Sequence, residues 1–184
     1  MNNQSTSICY QHGKFKATSS TIDIMDIGFL KEDGILKLAN AASRLGRKQQ
    51  EYEIYFKQQQ ENRSLVIMVL NIKNDLIMGY AVLLWTARFR ALQIKSSPEI
   101  MDIFVFPEFR KMGVAKLLIE FAEDLSKQAG LNTIGLGVRA TPEYVYVLEI
   151  YTKLHYRFVG SETLPEGDII VLEKKLYNNE TEEP

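Results

Sequence analysis

Residues 107–115 read Pro107-Glu108-Phe109-Arg110-Lys111-Met112-Gly113-Val114-Ala115, between a strand-like run and a helix-like one. Upstream, Glu99-Ile-Met-Asp-Ile-Phe-Val-Phe106 is rich in β-branched and aromatic residues and ends at Pro107. Downstream, Val114, Leu117, Leu118, Phe121 and Leu125 recur at helical spacing, and Gly130 is the stop. The first amides of such a helix have no intrahelical partners, and the helix dipole adds partial positive charge there. Small residues at Gly113 and Ala115 leave those amides uncovered, and Arg110, Lys111 and Lys116 supply cations. A pyrophosphate suits a turn of this kind. Taken alone, R-x-x-G-x-A is a short pattern, equally compatible with a tight turn that carries ordinary surface charges. It is not a P-loop, because the Gly-Lys-Ser/Thr end is missing. Nor is it a dinucleotide fingerprint: G-x-G-x-x-G is absent and the helix follows a hairpin strand.

Working outward, the hydrophobic period switches repeatedly. Ile22, Ile24 and Ile27 alternate with Asp23 and Met25 as a half-buried strand does. Asp33 stands as a cap before a helical run of Ile35, Leu38, Ala39, Ala42 and Leu45, closed by Gly46. A second short helix carries Tyr52, Tyr55 and Phe56. Residues 65–70 and 76–85, separated by Lys73-Asn74-Asp75, read as a β-hairpin. On the far side of the central helix, Ile134, Leu136 and Val138 alternate with Gly135 and Gly137, glycines that admit a close neighbour. Thr141-Pro142-Glu143 is a helix start, with Val147, Ile150, Tyr151 and Leu154 on one face. Strands near 156–161 and 168–176 close the chain. The order β-α-α-β-β-β-α-β-α-β-β mixes hairpins with crossovers and so predicts an α/β fold with a mixed sheet.

Composition narrows the function by exclusion. The chain has 184 residues, with Lys+Arg 22 against Asp+Glu 23 and a formal net charge of −1. That balance argues against nucleic-acid binding, which rests on a cationic face. One cysteine, Cys9, and two histidines, His12 and His155, leave neither a disulfide framework nor a multi-ligand metal site. No apolar run reaches the ~18 residues of a membrane helix. The opening residues lack the hydrophobic stretch of a secretory signal, so the expected location is cytoplasmic, with no membrane partner. Residues 1–20 read as a polar tail, in which a strand near 8–10 is a weak candidate. Residues 21–176 read as a single domain, and residues 177–184 as an acidic tail.

The stretch from Glu99 to Leu118 resembles motif A of the GCN5-related N-acetyltransferase (GNAT) superfamily, Q/R-x-x-G-x-G/A after a strand ending in V-x-P. The likeness continues through Ile134-Gly-Leu-Gly-Val138 to Ile150-Tyr-Thr-Lys-Leu-His-Tyr156, which is similar to the family's L-Y-x-K-x-G-F/Y segment. Pro98-Glu-Ile-x-Asp102 and Pro142-Glu-Tyr144 are similar to a bacterial branch of the family. Two positions depart from the pattern. Ala115 replaces the second glycine of motif A, and His155 replaces the glycine that ends the last helix, where a left-handed backbone favours Gly. We read His155 as a matter of backbone geometry rather than as a base.

The resemblance implies a GNAT-like sheet, mixed but mostly antiparallel, of about six to seven strands flanked by about four helices, with splayed central strands. It also implies acetyl-CoA as acetyl donor, no metal, and a primary amine of a small molecule or peptide as acceptor, attacked directly in a ternary complex. The protein would act as a monomer or homodimer. The pyrophosphate would lie on the amides of Arg110, Lys111, Met112, Gly113, Val114 and Ala115, with Lys116 nearby. The pantetheine would pair with the backbone of Ile103, Phe104 and Val105, and the amide of Phe104 or Val105 would face the thioester oxygen. Glu99, eleven residues before Arg110, matches the spacing of a catalytic glutamate, with Asp102 or water as other candidates for the base. Strand parity puts Glu99 on one face with Met101, Ile103 and Val105, and Asp102 on the other. Tyr151 matches the tyrosine that faces the sulfur. Tyr52, Tyr55, Phe56, Trp85 and Phe89 are candidates for the acceptor side. A module that keeps the fold and acyl-CoA binding without catalysis is the competing expectation.

Overall fold

The computed structural model describes residues 24–177, so the expected strand near 8–10, Ile22 and both tails apart from Tyr177 lie outside the described residues. Seven strands form one sheet in the order β1-β2-β3-β4-β5-β7-β6, flanked by five helices. They are β1 (Met25–Phe29), α1 (Glu32–Ala42), α2 (Gln49–Gln60), β2 (Ser64–Asn71), β3 (Ile77–Leu84), α3 (Arg90–Gln93), β4 (Glu99–Val105), α4 (Val114–Gln128), β5 (Thr133–Arg139), α5 (Val145–Lys153), β6 (Arg157–Leu164) and β7 (Gly167–Lys175). Every neighbouring pair is antiparallel except β4–β5, which is parallel and spans the crossover through α4. The expected mixed α/β order holds. The single turn of α3 is the addition, too short to leave a helical period in the sequence.

Three apolar clusters cover the sheet. Val114, Leu118, Phe121 and Leu125 of α4 pack with Ile67, Ala81, Leu83 and Ile100 on one face. On the other, Leu38 and Ala42 of α1 and Tyr52 of α2 pack against Val66, Tyr80, Val82 and Phe106. Phe89 and Leu92, around α3, pack on Ile169 and Val171. Two expected faces shift. In β1 the core side is Met25, Ile27 and Phe29, so Met25 turns inward rather than standing as the polar partner of Ile24. In α5, Ile150 is 46 % exposed and Leu148 packs inward with Val147, Tyr151 and Leu154. The helix ends behave as expected. Gly46 (φ 75°) and Gly130 (φ 77°) are left-handed, and His155 holds the same conformation at φ 68°.

Candidate active site

The feature that organises the site is a parting of two strands. β4 and β5 are in register only at Glu99–Gly135 and Ile100–Leu136; beyond Ile100, the residues of β4 have ladder partners in β3 alone. Phe106 donates its amide to Met78 at 3.0 Å. Alternation along an antiparallel edge then turns the Phe104 amide toward β3 and the Val105 amide into the opening. The Val105 carbonyl also faces that way and accepts the Nε of Arg110 at 3.3 Å. Of the two expected oxyanion donors, Val105 is the one whose N–H is free of the β3 ladder.

The turn after β4 lies at the mouth of this opening. Lys111 (φ 62°) and Gly113 (φ 85°) are both left-handed, and Gly113 caps α4. The first helical bond runs from the Leu117 amide to the Gly113 carbonyl at 3.0 Å, so the amides of Val114, Ala115 and Lys116 precede the helical ladder. A Cβ built on Gly113 would meet nothing within 4 Å, so no neighbouring group crowds the residue that caps α4. The structure therefore brings Lys111, Met112, Gly113, Val114 and Ala115 into one turn. Two details differ from expectation. The Arg110 amide is already given to the Pro107 carbonyl at 3.3 Å, and the Lys116 ammonium reaches along the helix to Glu120 at 3.6 Å. Gly135 and Gly137 have a packing reason: Cβ atoms there would collide with Leu92 and the Phe89 ring, so the side chains of the α3 segment occupy that space.

The carboxylates are arranged differently from the expected pattern. Glu99 is fully buried, and Arg88 gives it three hydrogen bonds: from the backbone amide at 2.7 Å, from Nε at 3.0 Å and from NH2 at 2.5 Å. These bonds take up three of the roughly four lone-pair positions of the carboxylate, which favours contact with an acceptor through water over direct contact. The parity expectation is corrected. Tyr80 opposes Phe104 and Val82 opposes Met101, so Ala81 stands against the two residues Asp102 and Ile103. This bulge places Asp102 at φ 50° and reverses the alternation beyond it. Asp102 consequently joins Glu99 and Met101 on the face of α1 and α2, whereas Ile103 and Val105 pack with α4.

Around Asp102 the helix α2 and the loop before it assemble a polar group that spacing did not reveal. Asp102 accepts from the Tyr80 hydroxyl at 3.1 Å and the Tyr55 hydroxyl at 3.4 Å, and pairs with the guanidinium of Arg47. Arg47 also holds Glu51 at 3.1 Å. Burial, then the Asp102 charge, pushes the Tyr55 hydroxyl up to about 12, and the same two causes raise Tyr80 further. Arg47 lies 55 positions from Asp102, and only its place just after the helix stop at Gly46 hinted at a role. Of the expected acceptor-side aromatics, Tyr52, Tyr55 and Phe56 belong to this neighbourhood. Trp85 packs on the opposite face, and Phe89 lies over Gly137 in the third cluster.

Tyr151 reaches from α5 into the core, 8 % exposed, with its ring edge-on to Tyr156 at 5.7 Å. Burial first, and then the neighbouring Tyr146, pushes its hydroxyl up to about 12, and no hydrogen bond to it is found among the described residues. No group of three or more His, Cys, Asp or Glu among the described residues is placed to hold a metal ion. Among those residues no helix is long and apolar enough to cross a membrane.

A profile of the acetyltransferase (GNAT) family matches residues 33–156. No curated protein sequence matches the chain. Among solved structures, the ribosomal-protein-S5-alanine acetyltransferase of Vibrio fischeri superposes with a TM-score of 0.68 at 14 % identity, covering 94 % of this chain and 100 % of that one. An N-acetyltransferase of Staphylococcus aureus Mu50 gives 0.66 at 18 %, covering 83 % and 99 %. A spermidine/spermine N-acetyltransferase of Vibrio cholerae, in mutant form, gives 0.65 at 18 %, covering 83 % and 94 %. At such identities the structural likeness carries the fold alone.

Proposed function

The chain belongs to the acetyltransferase (GNAT) family, and on that premise we propose that it moves an acetyl group from acetyl-CoA to a primary amine of a small molecule or peptide, by direct attack in a ternary complex. The observation that carries this reading is the parting of β4 from β5 beside the uncovered start of α4. An extended, hydrogen-bonding chain with an anionic head fits that pair of features: backbone groups along one edge, and amides with cations at its end. When bound, acetyl-CoA supplies the acetyl group as an activated thioester.

The residues of the chain then have separable tasks. The amides of Gly113, Val114 and Ala115, with Lys111 and Met112 framing the turn, hold the pyrophosphate, and Arg110 and Lys116 add positive potential. Ile103 and Val105 present backbone groups to the pantetheine, while Phe104 ties β4 to β3. The Val105 amide, pointing into the opening, donates to the carbonyl oxygen as negative charge develops on it.

Tyr151 donates a hydrogen bond to the departing sulfur. Its hydroxyl, at about 12, lies about 3.5 units above a free thiol, so full transfer of its proton would be uphill by ~5 kcal/mol. It therefore orients and stabilises the thiolate rather than protonating it. The acceptor must attack as a neutral amine, a form only about one part in two thousand of an alkyl amine at pH 7. With Glu99 held by Arg88, the proton shed by the nitrogen passes to water on the acceptor side. Glu99 positions the segment from Arg88 to α3 instead.

Binding is tested by calorimetry with acetyl-CoA, and transfer by release of free thiol across a panel of amines. Micromolar binding with thiol release that depends on the amine is expected. Binding without release from any amine would favour the non-catalytic module, and absence of binding would remove the cofactor claim.

A further inference from the structure

We propose that Asp102 is the seat of the acceptor's ammonium group and that Arg47 occupies this seat in the free protein. This rests on the acetyl-transfer reading and names the residue that holds the acceptor in its charged form before the nitrogen loses its proton.

Position is the first argument. Asp102 lies two residues beyond Ile100, the last β4 residue paired with β5, and so stands at the apex of the opening. Its backbone is left-handed at φ 50°, a conformation glycine would adopt at less cost. The bulge thus turns a carboxylate, rather than a bare backbone, toward the face that carries α1 and α2.

Charge is the second argument. The group holds two carboxylates, Asp102 and Glu51, and one guanidinium, Arg47. Glu99 and Arg88 neutralise each other beside it. Lys48 stands within electrostatic reach of Glu51, so the group is balanced as it rests, and an ammonium keeps that balance by entering in exchange for the Arg47 guanidinium at Asp102.

Exchange is the third argument. The Asp102 side chain is 11 % exposed and that of Arg47 is 33 % exposed, so the guanidinium reaches in from the solvent side. Arg47 has Glu51 as a second partner one helical turn on, at 3.1 Å, and can leave Asp102 without becoming an unpaired cation. The hydroxyls of Tyr80 and Tyr55 keep the carboxylate oriented while the cation changes.

The test compares n-butylammonium with n-butanol, an uncharged probe of the same length, by NMR titration of the free protein and of the protein saturated with coenzyme A. Coenzyme A binding, measured separately, reports on the acetyl-transfer reading by itself. The wild type should prefer butylammonium at least tenfold. Asp102→Asn and Asp102→Gly, both tolerant of the left-handed backbone, should remove that preference while keeping a cooperative melt. Arg47→Ala, which empties the seat, should tighten butylammonium several-fold without affecting butanol. A wild type with no preference, or a preference kept in both Asp102 variants, would overturn the proposal. Unchanged or weaker ammonium binding in Arg47→Ala would overturn the role given to Arg47.

Discussion

Glu99 and Arg88, eleven residues apart, lock the start of β4 to the chain that leaves β3. The carboxylate is fully buried and takes hydrogen bonds from both the backbone amide and the guanidinium of the arginine. Removing the charge should therefore weaken structure more than chemistry. Glu99→Gln is expected to lower stability by about 1–3 kcal/mol in chemical denaturation. The pH dependence of kcat/KM should keep its shape. A fall in kcat of a hundredfold or more, with the acid limb of the profile flattened, would restore Glu99 as the base.

At Gly113 the backbone, not the space, limits substitution. Gly113→Ala should lower stability by about 1–2 kcal/mol, because alanine at φ 85° is strained although its Cβ has room. Gly113→Asp should match that stability loss and, in addition, lower acetyl-CoA affinity at least a hundredfold, since its carboxylate competes for the same amides. Calorimetry on the two variants separates the effects, and full affinity in the aspartate variant would place the cofactor elsewhere.

Tyr151→Phe keeps the buried ring beside Tyr156 and deletes only the hydroxyl. The expected result is a kcat lower by about tenfold or more with little change in acetyl-CoA affinity. An unchanged kcat would make Tyr151 a core aromatic and nothing else.

Alkaline pH should destabilise the fold through its buried tyrosines. The hydroxyls of Tyr151 and Tyr55 ionise near 12 in the folded chain, against about 10 when unfolded. Above pH ~10 the unfolded chain holds fewer protons than the folded one, so their contribution is complete below that pH and is lost as pH rises toward 12. The slope is at most ~1.4 kcal/mol per pH unit for each tyrosine, and smaller for the less deeply buried Tyr55. Urea titrations from pH 9 to 11.5 measure it, and Tyr151→Phe should show a shallower decline; an equal slope in the variant would contradict the assignment.

Gly135→Ala should be destabilising by about 1–3 kcal/mol, because the added methyl meets the Leu92 side chain and, at 2.9 Å, the Leu172 carbonyl. Leu92→Ala in the same chain should recover part of that loss by making room, with the rest remaining against the rigid carbonyl. Additive effects in the double variant, measured by denaturation, would mean that the glycine and Leu92 do not share the space.

Much of the fold was legible along the chain because its signals are local. The α4 stripe from Val114 to Leu125, the glycines at 46 and 130, and the left-handed requirement at residue 155 each depend on a few neighbouring residues. The same is true of the turn from Arg110 to Ala115, whose open amides follow from small side chains at a helix start. The expected acceptor aromatics were less legible. Trp85 and Phe89 share a chemical type with Tyr52 and Tyr55, and type says nothing about which of three clusters a ring enters.

By itself, the sequence determined the order of strands and helices, the family and the glycine turn that starts α4, since period, capping and short-range spacing are properties of the chain alone. Only the tertiary structure decided what engages each carboxylate and which face each presents. The bulge at Asp102 exists because β4 takes its register from β3, opposite Tyr80 and Val82, and one extra residue there reverses every side chain that follows. For the same reason Arg88 reaches Glu99, and Arg47 reaches Asp102 across 55 positions: these pairs are set by the packing of separate elements, which no local pattern encodes.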